Sequence, residues 1–229
     1  NPGISAQDGF LTSHVIETLL LPERDLIKAY LGDPADRIDT PTPAQRMVFG
    51  DTRRRIPELF DMDYPAMIGT VQNQDSYAQG IAAQRPFYFD HLPALSDRAF
   101  AEFAALTGRQ YARAMGYRLD DADYVIAGQG SVVANAEAVA DYLRATRNLK
   151  VGVLNLTMFR PFPADLVSRL LAGTIAVAVL ERTDQPLATD LPLLREMRAT
   201  MSKAVENGRP AVARASAGKA ARTRASAAL

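Results

Sequence analysis

The sequence predicts an α/β fold whose main domain, residues 118–208, is a three-layer, doubly wound, mainly parallel sheet. Two observations carry this. Three short runs rich in Val, Ile and Leu, at 124–127, 151–156 and 175–180, are each followed by turn-forming sequence, as expected of strands buried on both faces. A helical apolar period then follows each run. Val132, Ala136, Val139, Ala140 and Leu143 form the first stripe, Leu166, Leu170 and Leu171 the second, and Leu194, Met197, Met201 and Ala204 or Val205 the third. The resulting β-α-β-α-β-α order means parallel strands joined by right-handed crossovers. In such sheets ligands and partners meet the carboxyl ends of the strands. Here those ends are Gly128-Gln-Gly-Ser131, the turn at 157–163, and the turn at 181–186.

Taken in order, residues 1–22 begin with turn chemistry at Asp8-Gly9. Thr12 or Ser13 is placed to cap a short helix starting near His14. Residues 23–64 alternate charge and proline, with Thr40-Pro-Thr-Pro43 as an extended break. Arg53-Arg-Arg55 could grip a phosphate, but Asp51 and Glu58 flank it, which favours a solvated or salt-bridged face. Residues 68–80 are dense in amides, with Gln72, Asn73, Asp75 and further hydrogen-bonding side chains. They read either as a loop network fixing geometry at a site or interface, or as an ordinary capped turn. Phe87-Tyr-Phe89 offers aromatic packing. Residues 92–114 carry a helical stripe through Phe100, Phe103, Ala104, Thr107 and Tyr111, with Ser96 as the expected N-cap and Gly108 weakening the middle. Residues 118–123 form an acidic turn into the first strand. The tail 209–229 carries five cations, no acid and no apolar stripe, and reads as a disordered segment or linker. The organisation expected is therefore residues 1–90, a connecting helix within 91–117, the α/β domain 118–208, and a basic tail 209–229.

Composition narrows the function. Net charge is zero, so no global field draws nucleic acid or an anionic membrane. No run of 18 apolar residues is present to span a bilayer. The first ten residues are polar and Gly/Pro-bearing, unlike a signal peptide, and a chain starting at Asn1 rather than Met reads as a segment of something longer or as a processed chain. The absence of cysteine removes disulfides, thiolate zinc sites and Cys-ligated iron–sulfur clusters from this stretch, and fits a cytoplasmic setting. With only two histidines, His14 and His91, a Ser-His-Asp triad or His-based metal site has little material. For His14, a local hydrogen-bonded turn is favoured over a catalytic dyad.

Two strand ends carry candidate chemistry. Gly128-Gln-Gly-Ser131 has the setting of a dinucleotide fingerprint but lacks the third glycine, since position 133 is Val, and no acid ends the second strand to hold a ribose. Amides at the start of the following helix could still hold an anion, leaving nucleotide or coenzyme A binding as a weaker alternative. Pro161 and Pro163 stiffen the exit of the second strand and leave Asp165 in the first turn of the next helix. They also fix Arg160 beside the third strand end. Glu181 or Asp184 is the expected partner in an ion pair, with ligand binding as the other reading.

Several of these motifs, in this order, resemble one family. They are Asp8-Gly-Phe-Leu-Thr-Ser-His14, the stretch 69–80, Tyr111 after Leu106-Thr-Gly-Arg109, Asp123-Tyr-Val-Ile126 with Gly130-Ser131, Phe159-Arg-Pro-Phe162, and Val179-Leu-Glu-Arg-Thr183. Over about residues 8–200 the chain resembles pyruvate:ferredoxin (flavodoxin) oxidoreductase, of the thiamine-diphosphate-dependent 2-oxoacid:acceptor oxidoreductases. The resemblance implies the C-terminal part of a pyrimidine-binding domain followed by a domain like the C-terminal domain of transketolase. It also implies an enzyme using thiamine diphosphate, Mg2+ and 4Fe-4S clusters, none bound wholly by this chain. Its partners would be other domains or subunits of the same oligomeric oxidoreductase, ferredoxin or flavodoxin, and coenzyme A. On this reading the residues facing the active site or an interface are Thr12, Ser13, His14, Gln72, Asn73 and Asp75, with Arg160 at the strand-end crevice. The alternative is a non-catalytic subunit-interaction module derived from such an enzyme.

Overall fold

The computed structural model describes residues 3–10, 12–16, 18–56, 58, 62 and 71–208, without the side chains of Ala44 and Phe87. The predicted tail 209–229 and the start of the amide-rich stretch, 68–70, lie outside the described residues. The chain divides into two compact units: residues 18–110, and residues 1–17 together with 111–229.

The 18–110 unit contains α1 (Arg24–Leu31), β1 (Arg37–Asp39), α2 (Pro43–Phe49), β2 (Thr52–Arg54) and α3 (Gln74–Thr107). The Thr-Pro-Thr-Pro break has a clear use. Thr42 accepts a hydrogen bond from the Gln45 N–H at 3.2 Å, and Pro43 occupies the first helical position, where a missing N–H costs nothing. Thr40 is buried, and its hydroxyl donates to the Gly50 carbonyl at 2.7 Å, closing α2 back onto the β1–β2 pair. The arginine cluster is salt-bridged. Arg54 pairs with Glu58, Arg55 with Asp36 at 3.6 Å, and Arg53 donates to Gln45 at 2.9 Å.

The helix expected over 92–114 has different limits. It starts at Gln74 and passes through Pro86 and Pro93. Ser96 is therefore not a cap; its hydroxyl donates to the Leu92 carbonyl one turn back, at 2.7 Å. Gly108 does not weaken the middle but ends the helix: at φ 72° it adopts the left-handed C-cap conformation, and its N–H reaches the Ala104 carbonyl at 2.8 Å. Tyr30 of α1 donates its hydroxyl to the Ala99 carbonyl of α3 at 3.1 Å and meets the Phe103 ring edge-on.

The second unit, residues 1–17 with 111–229, carries the α/β elements. It contains β3 (Ala114–Tyr117), β4 (Tyr124–Gly128), α4 (Val132–Arg147), β5 (Val151–Leu156), α5 (Ala164–Leu170), β6 (Ala176–Val179) and α6 (Pro192–Glu206). The sheet order is β3-β5-β4-β6, with β4 parallel to both β5 and β6. Strand β3, antiparallel to β5, was not foreseen. Its Ala-Met-Gly-Tyr sequence has no β-branched residue, and its place comes from pairing with β5 rather than from propensity.

Helices cover both faces of the sheet, giving three layers. Val125, Ala127, Leu154 and Leu156 pack against Val167 and Leu171 of the α5 region and Leu193 and Met197 of α6. Val151 and Val153 point to the opposite face and pack on Val133, Ala136 and Ala140 of α4. Each fully buried aliphatic side chain contributes roughly 1.5–3 kcal/mol by leaving water. Two stripe members were misassigned. Val139 is exposed and Val133 buried, because the seam of α4 runs 133, 136, 140. Likewise Leu193 rather than Leu194 is the fully buried residue of α6, and Val205 faces out while Ala204 is buried. Gly152 in β5 leaves room for the 118–122 turn: a Cβ there would sit 2.8 Å from the Arg118 carbonyl oxygen and 2.7 Å from Leu119 Cδ2.

Candidate functional site

The carboxyl ends of β4, β5 and β6 form the face where a ligand or partner is expected. At the end of β4, Gly130 turns the chain with φ 72° and Ser131 leads into α4. The anion foreseen at this helix start is the chain's own Asp8. Its Oδ2 accepts from the Ser131 amide at 2.7 Å and from the Ser131 hydroxyl at 2.5 Å. The Ser131 hydroxyl bond, then the Ser131 amide and the Arg182 charge, outweigh burial and hold the Asp8 carboxyl below its ordinary value. The position considered for a nucleotide or coenzyme A is thus filled from within.

The segment after Asp8 is a turn, not the short helix expected at His14. Side chains close it. Thr12 donates its hydroxyl to the Asp8 carbonyl, the Phe10 N–H donates to Ser13 Oγ at 3.0 Å, and the His14 N–H reaches the Phe10 carbonyl at 3.1 Å. Such local side-chain bonds compete with helix formation. His14 stacks on Phe10 with ring centres 4.4 Å apart, and its Nδ1 lies 2.8 Å from Ser13 Oγ. This is the hydrogen-bonded turn favoured for His14 from the sequence, and it brings Thr12, Ser13 and His14 together.

At the end of β5 the Thr157 and Met158 amides both donate to the Arg113 carbonyl. Arg160 does not pair with Glu181 or Asp184. Its guanidinium donates to Glu196 of α6 at 2.9 Å and lies 4.1 Å from the centre of the Phe159 ring. Glu181 is engaged elsewhere: its two oxygens accept from the Leu193 and Leu194 amides, at 2.7 and 3.0 Å, and so cap α6. A carboxylate at a helix start is a better partner for the orphan amides than for a distant exposed cation.

Arg113 was missed. Its side chain is 8% exposed and approaches Asp165, in the first turn of α5, at 3.4 Å. Burial pushes the Asp165 carboxyl up, but the Arg113 hydrogen bond and charge leave it below its ordinary value. A lone arginine ahead of an unforeseen strand gave no sequence signal.

In the 18–110 unit, Gln72 and Asn73 precede α3 and Asp75 lies in its first turn, so the stretch expected as a loop is helical from Gln74 onward. Gln72, Asn73, Gln74 and Asp75 line an open surface depression and are all exposed. Asn73 stands at the N-cap position without a side-chain capping bond.

Among the described residues no group of three or more His, Cys, Asp or Glu side chains is placed to hold a metal ion, and the sequence has no cysteine for a cluster. No helix of the described residues is long and apolar enough to cross a membrane.

A parallel three-layer α/β domain with short, internally braced strand-end turns defines the class of this unit. Residues 122–223 match the family model described as pyruvate:ferredoxin oxidoreductase core domain II. The chain is 36% identical, over 90% of its length, to the probable pyruvate-flavodoxin oxidoreductase of Escherichia coli, of which it spans 16%. It is 33% identical over 86% of its length to the pyruvate-flavodoxin oxidoreductase of Klebsiella pneumoniae, spanning 15% of that protein. It is 31% identical over 79% of its length to pyruvate synthase subunit PorA of Methanosarcina barkeri, spanning 40% of it. Residues 122–223 are thus similar to core domain II of the pyruvate:ferredoxin oxidoreductases, and the chain spans only a small part of the length of the relatives it matches.

Proposed function

We propose that this chain forms part of a cytoplasmic 2-oxoacid:ferredoxin or flavodoxin oxidoreductase, with pyruvate as the 2-oxoacid. The assembled enzyme would decarboxylate the 2-oxoacid oxidatively, send electrons to clusters outside this chain, and deliver the acyl group to coenzyme A. Thiamine diphosphate would supply the carbanion chemistry when bound; the residues here supply binding surface and orientation. Residues before about 90 would come from the end of the pyrimidine-binding domain, and residues 118–208 would act as the transketolase C-terminal-like domain. The observation that carries this reading is the similarity along 90% of the chain to a pyruvate-flavodoxin oxidoreductase.

On this reading the chain's own share is scaffold and interface. Thr12, Ser13 and His14, held in one turn, and Gln72, Asn73 and Asp75, at the start of α3, would face the active site or a neighbouring domain. Arg160, held against Phe159 and Glu196, would brace the strand-end crevice. The test is reconstitution with the remaining portions of the enzyme. Gln72→Ala and Asn73→Ala are expected to lower turnover with folding intact; if both leave turnover unchanged, the role given to that stretch is wrong. Purification from the source cell is expected to bring a cysteine-rich and a thiamine-diphosphate-binding polypeptide, or further sequence, with this chain.

A second reading, a non-catalytic interaction module, is favoured by the internal use of strand-end groups: Asp8 on Ser131, Glu181 on α6 and Arg160 on Glu196. Light scattering separates them, since a chain that stays monomeric beside its partner subunits excludes this module.

A further inference from the structure

We propose that Asp8 is a latch: its carboxylate, seated on Ser131, pins the 8–14 turn to the carboxyl edge of the sheet and makes Asp8 a positioning residue for Thr12, Ser13 and His14. Three features build the seat. The Ser131 amide and hydroxyl converge on one oxygen, Oδ2. Gly130 provides the space, since a Cβ there would lie 2.7 Å from that oxygen and its φ of 72° disfavours any other residue. The amide belongs to the start of a 16-residue helix, where the aligned peptide dipoles favour negative charge.

Among the described residues the turn has few other anchors. Phe10 sits at φ 58°, a conformation that non-glycine residues adopt only when their surroundings impose it. Among the described residues of the segment, Ile4, Phe10, Val15 and Ile16 are exposed, so none of these four docks it by apolar burial. Its root is the Asp8 main chain, whose carbonyl takes the Thr12 hydroxyl. One residue therefore bonds the sheet edge through its side chain and the turn through its backbone. Arg182, following β6, is the charged group acting on the carboxylate from outside the pair, and His14 is the other titratable group of the turn.

Amide NMR on the full chain tests the latch. In the wild type the Ser131 amide proton is expected to titrate with an acid midpoint below 3.8, the ordinary aspartate value. In Asp8→Asn that titration should vanish. In Asp8→Ala residues 9–16 should lose backbone order while the resonances of Val125 and Leu154 in the sheet stay in place. Ser131→Ala keeps the amide and removes the hydroxyl, so the midpoint of Asp8 should move up towards 3.8 with the fold retained. A Ser131 titration that persists in Asp8→Asn, or residues 9–16 that stay ordered in Asp8→Ala, overturns the latch.

The positioning role rests on the reading that this turn faces the active site of the assembled enzyme, and has its own readout. In the reconstituted enzyme Asp8→Asn is expected to lower turnover between about ten- and a hundredfold, with KM for the 2-oxoacid unmoved. If NMR establishes the latch and turnover is indifferent to Asp8→Asn, the positioning role falls while the latch stands.

Discussion

Glu181 is the side chain whose replacement separates the observed wiring of the strand ends from the wiring the sequence suggested. It caps α6 from outside the helix. Pro192, at the first helical position, has no N–H to satisfy, and Glu181 accepts from the next two amides, Leu193 and Leu194. Leu193 is 2% exposed, so water replaces the lost acceptor poorly. Loss of a helix cap costs roughly 0.5–2 kcal/mol, and loss of a carboxylate at the positive end of a helix about a further 0.3–1 kcal/mol. Glu181→Ala should therefore destabilise the 111–208 unit by about 2 kcal/mol, and Glu181→Gln, which keeps one acceptor oxygen, by about 1 kcal/mol. Urea unfolding followed by far-ultraviolet circular dichroism, with amide exchange in α6 to assign the transition, measures both. A loss below about 0.5 kcal/mol for Glu181→Ala would refute the capping argument. A double-mutant cycle then tests the pairing. Arg160→Ala and Glu181→Ala should be additive, whereas Arg160→Ala and Glu196→Ala should couple by up to about 1 kcal/mol, the range for an exposed ion pair.

Other outcomes are expected from the same unfolding experiments. Gly152→Ala should cost about 1–3 kcal/mol, because its Cβ meets the Arg118 backbone oxygen rather than a side chain that can swing away. Thr42→Ala should destabilise the 18–110 unit by about 1 kcal/mol through the lost cap on α2, and Thr42→Ser should restore it. Asp141 is held below its ordinary value, first by the Arg118 hydrogen bond and then by the Tyr117 hydroxyl at 2.9 Å. A depressed folded value means that its contribution is complete above the unfolded value near 3.8 and is lost as pH falls through the folded value. Stability should thus drop on acidification below about pH 4, and Asp141→Asn should make that drop shallower; an unchanged acid limb would refute the assignment.

The centre of the sheet was legible because β5 is buried along nearly its whole length and β4 beyond Tyr124 is largely buried. At 124–127 and 151–156 no polar residue interrupts the first run, and only Gly152 and Asn155 the second, so burial alone determines the state. Strand β3 was not legible, because Ala114-Met-Gly-Tyr117 carries no pattern of its own and is a strand only by virtue of β5 beside it. Helix α3 was cut short in the reading because the amide-rich stretch 68–80 resembles a loop and Ser96 resembles an N-cap; neither local signal shows that the helix starts at Gln74. Of the site, the turn 8–14 and the anion-holding start of α4 were each recognised, but not as two halves of one contact. Asp8 and Ser131 are 123 positions apart, and no local period joins residues at that distance. The same limit misassigned Arg160: strand-end neighbours were inferable from topology, whereas its actual partner Glu196 lies a turn inside α6.

The two-part make-up of the α/β unit also has a consequence for the order of assembly. In sequence, residues 18–110, a separate compact unit, come between Asp8 and the helix on which it seats. During translation the 8–14 turn is made before its seat, which follows after another 123 residues, an interval of roughly 6 to 25 seconds at ordinary elongation rates. Closing so long a span adds loop entropy only logarithmically, so the delay is one of timing more than of equilibrium. The 8–14 turn therefore waits for its native contact while the residues between it and α4 are made.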